Sequence, residues 1–266
     1  METLRPKEQE IRRREHRILE VTQDLLAREG YAGVTIGKIA ELMECSRGTI
    51  YNHFPCKEDA LLILATRYYT RQLAFYERAA AFRGRPRERM FAVGIANELF
   101  LRLYPGEANI IEVVCAQAIR DKSTSDRQAE LRECEVRVAS LMEGIVRDAL
   151  ACGDLELPKG ATPRSFTFGS WALTMGGYAT MLGILSIPVI ELGNVFEEVR
   201  RNGNILADGY GWRPLTSEWD YDSTLQRVHA EVFPEEVHAL RTRADDELGE
   251  PSDGFAARYN IETERG

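Results

Sequence analysis

Ile18, Val21, Thr22, Leu25 and Leu26 fall on one helical face between about residues 10 and 29, and Gly30 follows as a stop. Val34 and Ile39 flank the cap residue Thr35 as a hydrophobic staple, which sets the angle of chain entry into a second helix. Ile36, Ile39, Ala40 and Met43 give that helix a single stripe. It must be short, because Ser46 is a further N-cap, with Cys45 and Ile50 as a second staple. Only Glu44 and Cys45 separate the two, so two short helices meet across a tight turn.

The same period continues. It predicts a long helix from about 57 to 82, a break at "RGRP", and helices near 86–103, 107–121 and 125–152. Thr162 before Pro163 marks another helix start, cap then N1 proline, running to about 185. A last firm helix is expected over 188–207. No segment alternates with period two, so the expected class is all-α. The most apolar stretch, 171–190, is interrupted by glycines and Pro188 and reads as packed helix, not a membrane span.

Composition changes the picture in two places. The formal net charge of -8 is unevenly spread: residues 1–78 carry 13 basic against 12 acidic side chains, whereas 210–266 carry 6 against 13. The acidity lies far from the short helices and does not argue against a nucleic-acid partner there. The five cysteines are scattered without a CxxC, and the charged N-terminus lacks an apolar signal core. Both features fit reduced thiols and a cytoplasmic location. No HExxH, nucleophile elbow or glycine-rich phosphate loop is present, and neither cofactor nor metal is expected.

"CSRGTIYNHFPCKEDAL", residues 45–61, concentrates the candidate chemistry. Two short helices across a tight turn, the second opening on Ser46, Arg47 and Thr49, describe a helix-turn-helix. Its second helix enters the major groove N-terminus first. Gly48 lets the backbone approach DNA, Ile50 and Phe54 pin the helix inward, and Tyr51 and His53 face phosphate oxygens. Lys57 opens a helix whose N–H groups can receive a phosphate. A half-buried tyrosine and a surface histidine are the plainer reading of Tyr51 and His53 in isolation; the surrounding pattern favours DNA.

"GYAGVTIGKIAELMECSRGTIYNHFPCKEDAL" resembles the DNA-binding region of TetR-type repressors, over roughly residues 10 to 75. The resemblance assigns DNA-facing roles to Thr35, Arg47, Thr49, Tyr51, His53 and Lys57, within a candidate contact set that also holds Ser46, Gly48 and Asn52. Two positions depart from it. Glu44 stands where glycine is common, which implies strain or a different turn. Cys56 stands where serine would cap the fourth helix with Asp59, leaving the capping box half formed. Cys56 at a helix start also invites a redox reading, against which a tolerated small residue is preferred. Arg12, Arg13, Arg14 and Arg17 suit equally an arm on DNA and a solvated helix face.

The resemblance further implies a homodimer that binds a double-stranded operator and is released by a small, partly apolar effector. The expected organisation is a DNA-binding head over 1–56, a connecting helix from 57, an effector and dimer domain over 83–209, and an acidic extension over 210–266. That extension is read as short helices packing on the outside, in plainest terms a solvated addition. Gly169, Gly176 and Gly183 recur every seven residues, as close packing within one subunit or, as the resemblance favours, between two. Trp171, Met175 and Tyr178 lie roughly opposite and are the candidate pocket residues. The rival to a repressor is a helical adaptor or ligand-binding protein that has lost operator binding.

Overall fold

A computed structural model of the protein describes residues 5–181 and 194–247, and among them every regular element is a helix. In chain order these are α1 (Pro6–Gly33), α2 (Ile36–Leu42), α3 (Arg47–Tyr51), α4 (Lys57–Ala80), α5 (Pro86–Leu103) and α6 (Pro105–Cys115). There follow α7 (Gln117–Arg120), α8 (Ser125–Cys152), α9 (Pro163–Met181), α10 (Val195–Gly209), α11 (Tyr221–Glu231) and α12 (Pro234–Glu247). The all-α expectation holds. Gly30 does stop the first helix: its φ of 67° interrupts α1, and the last residues form a separate turn. The helix expected over 107–121 divides at Ala116, whose ψ of 117° is extended, into α6 and α7.

The chain forms two compact units. Among the described residues, one contains 5–71 together with Tyr104–Arg137; the other contains Gln72–Leu103 and those from Val138 onward. In the first, Ile18, Leu25, Val34, Ile39, Ile50, Phe54 and Leu61 are buried; both members of the first staple are among them, while Cys45 of the second is half-buried. In the second, Phe75 stacks on Phe233 at 5.6 Å and meets Phe100 edge-on at 5.3 Å. Phe166 meets Trp212 edge-on at 4.7 Å.

The reading of 210–266 as an outer, solvated addition is corrected for its described part. Trp212, Val228 and Phe233 are wholly buried, and Tyr221 nearly so. Arg78 lies over the Phe233 ring and pairs with Glu236, while Arg87 donates to the Trp212 carbonyl. The physical reason is simple. A net acidic segment still buries large aromatics when Arg78 on α4 pairs with one of its carboxylates and Arg87 on α5 satisfies one of its backbone carbonyls.

Candidate nucleic-acid interface and cavity

The two short helices of the first unit are built by local signals. Thr35 Oγ1 accepts from Lys38 N at 3.2 Å and Ser46 Oγ accepts from Thr49 N at 3.1 Å, each a side-chain N-cap. Between them Glu44 has φ 51°, in the left-handed region that costs an L residue strain. Of the two alternatives for glutamate at this position, strain or a different turn, the positive φ shows strain. Cys45 N donates to Ala40 O at 2.9 Å across it.

The second helix, α3, presents Arg47, Gly48, Tyr51 and Asn52 to solvent. A Cβ at Gly48 would meet only Ser46 Oγ, at 3.6 Å, so nothing inside the chain requires glycine there. Gly37 on α2 has a role the sequence did not reveal. A Cβ there would stand 3.0 Å from Arg47 Nη2, so its absence makes room for the guanidinium.

His53 and Lys57 turn inward instead of outward, a revision of the expected set of phosphate contacts. The His53 side chain is 8% exposed, with Nδ1 3.4 Å from Glu15 Oε1 on α1. Lys57 Nζ donates to the carbonyls of Tyr31 at 3.0 Å and Val34 at 2.8 Å, and lies 3.8 Å from the Tyr31 ring centroid. Burial lowers the Lys57 pKa, against the opposing pull of Glu58. Burial, reinforced by the Glu58 carboxylate 2.5 Å from its hydroxyl, pushes Tyr31 up to about 12. Both side chains therefore brace the helices that carry α3. Their partners lie 23 to 38 residues away, which no local pattern could show.

At the start of α4 the Asp59 carboxylate accepts from Cys56 Sγ at 3.4 Å, and it also holds a distant segment. The same carboxylate accepts from Thr124 N at 2.7 Å and Thr124 Oγ1 at 2.9 Å, just before α8. Cys56 Sγ donates to Lys122 O at 3.3 Å. Burial pushes the Cys56 thiol up to about 11, the reverse of the lowered value a redox switch needs. Of the N-terminal arginines, Arg14 pairs with Glu10 and Arg17 with Glu20 along α1, as a solvated face does.

The second unit contains a cavity of about 80 Å³ between α5, α9 and α10, closed on one side by Trp212. Of the three candidate pocket residues Tyr178 lines it, and Trp171 and Met175 do not. Trp171 is 53% exposed beside Phe168, itself 64% exposed, with ring centroids 6.1 Å apart. Both therefore sit on the outer face of α9. Asn97 anchors the polar side of the cavity: its Oδ1 accepts from Gln72 Nε2 and Tyr76 Oη at 2.9 Å, and its Nδ2 donates to Tyr178 Oη at 3.2 Å.

The glycine stripe resolves into different surroundings. A Cβ at Gly169 would lie 3.5 Å from Leu206 of α10, a contact within the chain. At Gly176 it would meet nothing within 4 Å, and Gly183 lies outside the described residues. Among these glycines the tightest against α10 is instead Gly177, where a Cβ would fall 2.5 Å from Val199 Cγ2.

Comparison with known proteins agrees with this head. Residues 18–62 match the family model described as bacterial regulatory proteins, tetR family. The HTH-type transcriptional repressor KstR of Mycolicibacterium smegmatis is 35% identical over 92 residues, 34% of this chain. The chain spans under half of that repressor's length, 45%. Among solved structures, a transcriptional regulator from Saccharomonospora viridis in complex with choline aligns with TM-score 0.57 at 20% identity, over 74% of this chain and 96% of that one. AibR in complex with isovaleryl coenzyme A and operator DNA aligns with TM-score 0.53 at 19% identity, over 74% and 98%. At these identities the structural likeness speaks to the fold.

Proposed function

We propose that the chain is a regulator of the TetR family, a homodimeric repressor released from a palindromic operator by a small effector. One observation carries the reading. Within a head that matches the family model, a short helix and its cap present Arg47, Gly48, Tyr51 and Asn52 to solvent, and nothing inside the chain requires glycine at position 48. Arg47 reads a base edge, as arginine does on guanine, and Tyr51 donates to a phosphate oxygen. Thr35, Ser46 and Thr49 hold the two helix starts and reach the backbone beside them. His53 and Lys57 act from behind by fixing α1 against α4.

Dimerisation is assigned to the outer face of α9 and α10. Phe168 and Trp171 on α9 and Ile205 on α10 are all exposed, a concentration of large apolar side chains in water that a partner would remove. Gly176 belongs to that face, whereas Gly169 packs within the subunit. A two-fold dimer must place its recognition helices about 34–36 Å apart to reach successive major grooves. Effector binding in the cavity selects a conformation in which that separation is lost. Neither reading involves a reaction, and no helix among the described residues is long and apolar enough to cross a membrane, which suits a cytoplasmic regulator.

The test is selection of genomic fragments by the full-length protein, followed by footprinting. A two-fold symmetric protected site with half-sites one helical turn apart is expected. Enrichment no better than that of random fragments would support the adaptor reading. Trp171→Glu checks the interface: the variant should sediment as a helical monomer and lose the symmetric footprint.

A further inference from the structure

Among the described residues, three buried side-chain nitrogens have no hydrogen-bond partner: Arg87 Nε, Arg102 Nε and Trp212 Nε1. All three are donors, and no buried side-chain acceptor among those residues stands unpaired. Two of the three belong to residues that wall the cavity. Buried donors are nearly always satisfied, so two unsatisfied ones beside a void call for an acceptor from outside the chain.

The charges of the wall point the same way. Arg87 is 2% exposed and held in place: its guanidinium pairs with Asp208 at 2.6 Å and donates to the carbonyls of Trp212 and Asn204. Those bonds occupy Nη1 and Nη2 and leave Nε. Glu98, the wall's carboxylate, is taken by Arg102 and Arg200. A cationic ligand would find no uncommitted acceptor charge there. Phe91, Phe166, Leu173 and Phe196 supply the apolar remainder.

We propose that the cavity binds a small monocarboxylate with a short apolar tail, its oxygens accepting from Trp212 Nε1 and Arg87 Nε. This rests on the reading of the cavity as the effector site. The volume of about 80 Å³ admits a chain of a few carbons. Trp212 comes from the segment beyond residue 209, so that segment supplies both a wall and a ligand donor. Ligand specificity therefore depends on residues outside the 83–209 span assigned to effector binding from sequence.

The test uses the full-length protein, with butanoate and butylamine as probes of similar size in calorimetric titration. Butanoate should bind about tenfold tighter than butylamine, because an ionised acceptor strengthens each bond. Trp212→Phe keeps the ring but removes the donor. It should weaken butanoate about tenfold and leave butylamine unchanged, with an unaltered circular dichroism spectrum confirming the fold. Gly203 lines the cavity and a Cβ there meets nothing within 4 Å, so Gly203→Leu should fill the space and abolish butanoate binding. Equal affinities for the two probes, or a Trp212→Phe variant that binds butanoate normally, would overturn the carboxylate assignment while leaving the cavity a ligand site. Butanoate binding that survives Gly203→Leu would overturn the cavity as its location. If neither probe binds, the ligand class is wrong; operator binding measured on the same sample still judges the regulator reading independently.

Discussion

Arg47 and Arg87 are the same side chain put to opposite uses. Arg47 sits exposed on a five-residue helix, its guanidinium seated over Gly37 ten residues earlier. Arg87 is buried and bonds to a carbonyl 125 residues later. The first unit keeps its interacting groups outside on helices set by local caps, with apolar staples beneath. The second hides its decisive polar groups and uses them to join distant segments. A solvent-facing reader of another molecule can thus be assembled from neighbouring residues. A closed body around a cavity cannot, because every polar group it buries needs a partner brought by the fold.

The sharpest challenge to this contrast is Phe233→Ala. If the segment after 209 is core, removing a fully buried ring stacked on Phe75 should cost about 3–5 kcal/mol, read as a lowered urea midpoint at unchanged slope. A loss under about 1 kcal/mol would return the segment to the status of an outer addition. Arg47→Ala comes next. It should leave the melting curve alone and relax preference at one base pair per half-site by roughly 1–3 kcal/mol, measured by competition with substituted operators. A uniform loss across all duplexes would make Arg47 a phosphate contact instead.

Lys57→Ala sharpens the contrast from inside the head. With its ammonium on two backbone carbonyls, its loss should destabilise the protein by about 1–2 kcal/mol, discounted for partial exposure. The slope of log affinity against log salt should not change. A slope reduced by about one per subunit would show that the lysine leaves its carbonyls for a phosphate when DNA binds. The smallest effect is expected for Glu44→Gly. Relieving a positive φ should stabilise the head by about 1 kcal/mol, and the lost negative charge near DNA should tighten binding slightly at low salt. Destabilisation on that change would mean that the turn depends on the Glu44 side chain.

What the sequence determined by itself was whatever neighbours within a few residues decide. Thr35 and Ser46 as caps, the staples around them, the stop at Gly30, the strain at Glu44 and the exposure of Arg47 all follow from chemistry over three to five positions. Hydrophobic period gave the helices for the same reason, since a helix repeats every 3.6 residues whatever it packs against. Only tertiary structure decided where the long-range partners fell. It turned His53 onto Glu15 and Lys57 onto Tyr31 and Val34, and brought Thr124 to the Asp59 carboxylate at the start of α4. It also put Trp171 outside, set Gly177 instead of its neighbour against Val199, and drew Trp212 and Phe233 into the core. A residue's type states what it can bond; which of many equivalent partners reaches it depends on how distant helices meet, and that information is spread over the whole chain.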